Sequence, residues 1–255
     1  MIIRERENEV VMISQDDHAR ISGMFAADWT KYLLKQDDKR NSVELAINEH
    51  DRGWIPLDRN PFLNDQTKIP FSFIDYPNEI KLVFYKRGID EVEEMDSYAG
   101  LLCSCHYARF AANDGSADAQ RFVKQEHNRQ NRLKNQVEGF DEALFQFHYD
   151  LLQFSDNLSL YVCLNEPGVS QNDVHYFFRQ GLPVPSTLSF LGTNPIQIDW
   201  KDMKTILLSE FPFNNPFDIT ITQKLVSKQS INDAGIFHAY ENAIIERVSV
   251  SIDAD

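Results

Sequence analysis

Positive charge is what this chain has too little of: 25 Lys and Arg stand against 39 Asp and Glu, leaving a net charge of −14 over 255 residues. A phosphate backbone or an anionic membrane surface needs a broad basic face, so neither nucleic acid nor membrane is an expected partner. A small phosphorylated substrate stays open, because a metal ion with one local Arg or Lys outweighs the field of a distant acidic surface. Cysteine is scarce too. Cys103, Cys105 and Cys163 are too few for a four-cysteine zinc motif and are read as reduced structural thiols of a cytoplasmic protein. No apolar run approaches the roughly 20 residues of a membrane-spanning helix; Leu158–Leu164 is among the longest. The start, MIIRERENEVVM, is charged from its fourth residue and lacks the apolar centre of a signal peptide. Internal repeats, low-complexity linkers and charge breaks are missing as well. The chain therefore reads as one domain, residues 1–255, with 42% hydrophobic residues to fill its core.

What is present is organised around Val43–Trp54, VELAINEHDRGW. At 3.6 residues per turn, Val43, Ile47, His50, Asp51 and Trp54 share the inward side of a helix. An imidazole and a carboxylate buried there without partners would cost several kcal/mol, so the pair needs hydrogen-bond partners or a metal ion. Other inward stripes carry the same residue types. His18, Ser22, Phe25 and Trp29 are spaced i, i+4, i+7, i+11 on a helix that Ser14 caps, with Asp17 three residues on. Val92, Met95, Ala99, Leu102, His106 and Phe110 follow steps of three and four along one long helix expected over Ile89–Ala112. Phe145, Tyr149, Leu152 and Asp156 form a fourth stripe.

Between these stripes lie a charged connection, Lys35–Asn41, and a Pro- and aromatic-rich loop, Pro56–Tyr76, read as one wall or lid of a pocket. Ser116–Gln136 is expected to be an exposed polar helix carrying Glu126 and His127 on its solvated face. The helical core thus spans about residues 14–165. Strands are expected at the two ends: a hairpin of Ile2–Arg6 and Val10–Ile13, and, in a strand-rich region of about residues 190–255, Ile196–Trp200, Ile219–Val226 and Ile244–Ile252. The two ends should pair as one small antiparallel sheet.

His18, the neighbours His50 and Asp51, and Asp156 stand in the order H…HD…D. That order resembles the HD superfamily of metal-dependent phosphohydrolases, which implies a mainly α fold, α+β overall: an HD-like helical bundle with His18, His50, Asp51 and Asp156 as metal ligands. From MIIRERENEVVMISQDDHARISG through EHDRGW to FSDNLSLYVCL the chain also resembles a family of uncharacterised bacterial proteins known only as a domain of unknown function. The first resemblance implies hydrolysis of a small-molecule phosphoester by a metal-activated water, with one or two divalent ions of Mn, Fe, Ni or Zn. Asp51 and His106 would be catalytic, and Arg52, Trp54 and Arg109 would contact substrate. Many members follow the dipeptide with a small residue and a phosphate-binding lysine. Here HDRGW keeps Gly53 and puts Trp54 in the lysine's place, so the charge would come from Arg52, Arg109 or Lys86. The alternative is a ligand-binding or interaction module without catalysis.

Overall fold

The computed structural model describes residues 1–34, 37–192 and 195–255. Strands β1 (Ile2–Glu5) and β2 (Glu9–Ile13) form the expected hairpin, with Ile2 opposite Ile13. Ser14 then accepts a hydrogen bond from the Asp17 amide at 3.0 Å and starts α1, Gln15–Leu33. The stripe on α1 points inward as the spacing requires: His18, Ser22, Phe25 and Trp29 are all buried. Lys35 and Gln36, the start of the charged connection, lie outside the described residues.

The helix read over Val43–Trp54 is shorter than its spacing suggests. Helix α2 runs Arg40–Glu49; His50 keeps helical angles, and Asp51 leaves them at φ −106°, ψ 17°. Arg52–Trp54 form a 3-10 turn that feeds α3, Ile55–Arg59, with Pro56 in its first turn, where a missing amide costs nothing. The tightening comes from outside. Gly53 is pressed against α4 (Asn78–Met95), and its amide donates to the Tyr107 hydroxyl at 3.2 Å.

The single helix expected over Ile89–Ala112 is two. Helix α4 stops at Met95 and α5 spans Ser97–Ala111. Asp96 between them is extended (φ −157°, ψ 123°), and its carboxylate accepts from the Ala99 amide at 2.7 Å and from Ser42 at 2.9 Å. A capping aspartate thus satisfies an amide that a continuous helix would have paired internally. Met95 at the end of α4 and Phe110 of α5 are both about half exposed. Helix α6 (Ala117–Gln136) carries His127 outside as expected, but Glu126 is buried, accepting from Ser104 at 2.9 Å and paired with Arg129. Helix α7 (Glu142–Leu164) is capped by Asp141 and runs through the core.

The sheet has six strands in the order β1-β2-β5-β6-β4-β3, adding β3 (Ile198–Trp200), β4 (Thr205–Leu208), β5 (Phe217–Ser227) and β6 (Ile244–Ala254). Helices α8 (Lys228–Ala234) and α9 (Ile236–Glu241) interrupt the strand-rich end between β5 and β6. The two ends of the chain do pair: β2 lies antiparallel to β5, Val10 opposite Val226. The sheet is mixed rather than antiparallel, because β4, too short to stand out in the sequence, lies parallel to β6 with Ile206 opposite Ile252.

One hydrophobic cluster joins sheet and helices. Trp29 of α1 stacks on Phe154 of α7 at 4.9 Å between centroids, and Phe25 stacks on Phe213 beside the sheet. Each such buried ring contributes roughly 1.5–3 kcal/mol, enough to fix α1 against α7 and so His18 against Asp156. No helix among the described residues is long and apolar enough to cross a membrane.

Candidate metal centre

Four elements deliver the residues that the H…HD…D order singles out. His18 comes from the first turn of α1, His50 from the end of α2, Asp51 from the residue before the 3-10 turn, and Asp156 from the middle of α7. All four are buried, with no residue more than 5% exposed. Asp156 Oδ1 lies 3.1 Å from His18 Nε2 and 3.6 Å from His50 Nε2; Asp51 Oδ2 lies 3.8 Å and 3.7 Å from the same two nitrogens. Residues up to 138 positions apart therefore meet at one point.

Hydrogen bonds behind the rings decide which nitrogen faces that point. The Ser159 hydroxyl donates its only proton to the His18 carbonyl at 2.7 Å, so its oxygen is left to accept from His18 Nδ1–H, also at 2.7 Å. His50 Nδ1–H donates to the Ile47 carbonyl at 2.7 Å. Each ring thereby aims a lone pair on Nε2 at the carboxylates, and His50 Nε2 has no hydrogen-bond partner among the described residues. Two lone pairs facing two carboxylates need a proton or a cation between them. Ligating histidines are held in this way, with the far ring nitrogen donating to a carbonyl or hydroxyl.

Burial alone would lower the His50 pKa, but the charges of Asp51 and Asp156 and the Ile47 carbonyl outweigh it and hold the imidazole at about 9. Burial would likewise raise Asp156, yet the contacts from His18 and His50 keep it well below the usual carboxylate range. Burial does raise Asp51, offset only in part by His50. In the metal-free protein a proton on His50 thus does the work of a cation. The raised His50 contributes stability that is complete below its ordinary pKa of 6.5 and is lost as the pH climbs through about 9, on the order of 3 kcal/mol for a shift of that size. Metal-free protein should accordingly melt at lower temperature at pH 9 than at pH 6.5. Metal uptake at pH 7 should release close to one proton, measurable by calorimetry in buffers of different ionisation enthalpy; no proton release at pH 7 would contradict the assignment.

The donor set fits a divalent ion. Nitrogen and oxygen ligands bound at about 2.0–2.2 Å to one ion sit about 3–4 Å from each other, which is the spacing found. His18, His50 and Asp51 form one group able to hold an ion, and His50, His106 and Asp156 a second, with ligand atoms within 4.8 Å in each. His106 of α5 packs edge-on to His50 at 4.9 Å between centroids and has no partner for Nδ1 among the described residues. Burial holds its pKa well below the ordinary range, so it is neutral. His50 closes α2, whose carbonyl end carries partial negative charge and favours a cation.

His18, Asp51, His106 and Asp156 open onto a cavity of ≈ 460 Å³. Trp54 and Arg109 line it, and so do Phe73 and Ile74 of the aromatic loop. Arg52 does not. Its guanidinium is engaged by Glu49 at 2.9 Å and Glu91 at 2.7 Å and lines a separate surface groove, because the 3-10 turn rotates it away from Asp51. Lys86 is likewise paired, with Asp90, outside the cavity. Trp54, at the expected lysine's position, is a buried wall packed edge-on to Tyr76 and Tyr85. Sequence reasoning missed Lys81, Tyr85 and the Phe177–Phe178 pair, all of which line the cavity. The run HYFF between Gly168 and Pro183 was a usable signal for the last pair; Lys81 carried none.

The family described as "Protein of unknown function (DUF3891)" matches residues 1–228. No curated protein and no solved structure matches the chain.

Proposed function

We propose, from the premise that the chain belongs to the DUF3891 family of proteins of unknown function, that it is a metal-dependent hydrolase of the HD type acting on a small-molecule phosphoester. The observation that carries this reading is the ring of two bare imidazole nitrogens and two carboxylate oxygens, 3.1 to 3.8 Å apart, buried at the floor of an accessible cavity. Mn, Fe, Ni and Zn all suit such a donor set. A divalent ion held there supplies Lewis acidity, which makes water nucleophilic near neutral pH and offsets charge on phosphoryl oxygens.

The chain's own residues do the rest. His18 and His50 hold fixed tautomers through Ser159 and Ile47. Asp51 and Asp156 supply the negative charge that retains a cation, and Asp51 also faces the cavity. His106, neutral and with Nδ1 free, is the group that takes a proton from the attacking water or returns it to the leaving oxygen. The apolar walls of Trp54, Phe73 and Tyr85 exclude bulk water from the reacting end. The unpaired thiols Cys103, Cys105 and Cys163 suit a cytoplasmic setting.

Elemental analysis of protein purified without chelator tests this first, and about one transition-metal ion per chain is expected. A screen of generic phosphomonoesters and phosphodiesters with Mn, Ni, Mg and Zn follows, with turnover by the loaded protein expected. A chain that neither retains nor takes up a metal ion would end the proposal. The buried Trp54 in place of a phosphate-binding lysine favours a second reading, a ligand-binding module without catalysis. Saturable metabolite binding by metal-loaded protein that turns over no ester would select it.

A further inference from the structure

In a chain of net charge −14, the cavity is an exception. Its charged lining consists of Lys81 from α4, Arg109 from α5, and the two carboxylates of the metal cluster itself. With a divalent ion in the cluster the balance is about +2. Neither cation forms an ion pair among the described residues. Lys81 Nζ reaches only the Phe73 carbonyl, at 3.4 Å, and Arg109 donates to the Gln153 side chain while its guanidinium lies 4.9 Å over the Phe110 ring. Arg52, Lys86, Arg87 and Arg129, on nearby elements, each hold a carboxylate. Asp75 and Asp114 act on Lys81 only from beyond ion-pair distance, so two cations without an ion pair among the described residues share one cavity.

The walls make a second demand. Phe110 is 48% exposed and Phe177 43%, yet both line this same cavity from different parts of the chain. Exposed rings cost free energy to hydrate, and two at one opening form a surface suited to a planar partner. Trp54, Phe73 and Tyr85 continue the apolar lining inward. An inorganic anion would leave these walls bare, and an uncharged aromatic would leave Lys81 and Arg109 unpaired.

We propose that the cavity binds a small aromatic phosphoester, its phosphate held by Lys81 and Arg109 and its ring packed against Phe110 and Phe177. The identity of the anion as a phosphoester rests on the hydrolase reading; the pairing of a ring with an oxyanion rests on the lining alone. Lys81 and Arg109 are specificity-determining residues here and are not ligands of the ion.

Benzylphosphonate is the probe, because its carbon–phosphorus bond resists hydrolysis and its binding can be followed by calorimetry without turnover. Inorganic phosphate lacks its ring and benzyl alcohol its charge. Protein loaded with Mn should bind benzylphosphonate at least ten times more tightly than either, and more tightly than metal-free protein does. Lys81→Met and Arg109→Met should each weaken benzylphosphonate at least tenfold, leave benzyl alcohol unaffected and leave metal content unchanged; Lys81→Arg should restore most of the binding. Phe110→Ala with Phe177→Ala should bring benzylphosphonate close to inorganic phosphate. Unchanged binding in the Lys81→Met and Arg109→Met proteins, or inorganic phosphate binding as tightly as benzylphosphonate, would overturn the proposal. The two readings fail separately. A wild-type protein that takes up no metal but loses benzylphosphonate on these substitutions defeats the hydrolase and keeps the aromatic-anion site. A metal-loaded, ester-cleaving protein indifferent to them does the reverse.

Discussion

On the hydrolase proposal, replacing Asp156 with asparagine is expected to strip the ion from the site and to lower phosphoester turnover at least about 10³-fold, while the chain stays folded. The carboxylate lies nearer than Asp51 to both His18 Nε2, at 3.1 Å, and His50 Nε2, at 3.6 Å. Losing a residue that merely supports a ligand costs 10- to 100-fold in metal affinity, so losing this ligand should cost more than about 100-fold. Lewis acidity supplies several kcal/mol of transition-state stabilisation, and each 1.36 kcal/mol is a factor of ten in rate. The fold survives because asparagine keeps the shape of the side chain, and its amide can donate to the His18 Nε2 lone pair that the carboxylate oxygen now faces. Elemental analysis, initial rates and a denaturant unfolding curve on the same preparation separate these effects. An Asp156→Asn protein with wild-type metal content and rate would remove Asp156 from the centre.

The four residues of this candidate centre were legible because each lies on a stripe anchored by large apolar residues. Burying Phe25 and Trp29 commits His18 to the interior, and burying Phe145 and Leu152 commits Asp156. What a stripe cannot report is where its helix ends. Val92 and Ala99 keep helical spacing across Asp96, so the break between α4 and α5 leaves no mark in the hydrophobic pattern. Only the capping chemistry of Asp96 carries it. The HD resemblance implied Arg52 as a substrate contact; the 3-10 turn sends it to Glu49 and Glu91. Glu126 looked solvated because its partner Ser104 lies on another helix. Lys81, at the polar start of α4, gains meaning only when the loop carrying Phe73 and the segment carrying Phe177 close around it.

Gly88→Ala is expected to cost about 2–3 kcal/mol in stability and to weaken metal binding, although alanine is the better helix former by about 0.8–1 kcal/mol. Gly88 lies inside α4, where a methyl group would fall 2.4 Å from the Gly53 amide nitrogen and 2.6 Å from its Cα. Those are backbone atoms, with no rotamer to move aside. Gly53 is locked from its own side: a methyl group there would meet the Phe84 carbonyl oxygen at 2.6 Å and the Tyr107 hydroxyl at 3.2 Å. The glycine of HDRGW therefore serves close approach of backbone to backbone. Relief requires the 3-10 turn to lift off α4, and Asp51 is only two residues away. Overpacking a tight core costs about 1–3 kcal/mol, and rigid neighbours on both sides put this case at the upper end. For a chain of this length the melting temperature should fall by about 5–10 °C. Gly115→Ala is the control, since a methyl group there meets nothing within 4 Å among the described residues, and it should stay within about 0.5 kcal/mol of wild type. Unfolding measured in chelator isolates packing from metal loss, and a metal titration of the folded variant then reads the displacement of Asp51. A Gly88→Ala protein as stable as wild type in chelator would show that α4 can retreat from the turn, and that this contact does not position the carboxylate.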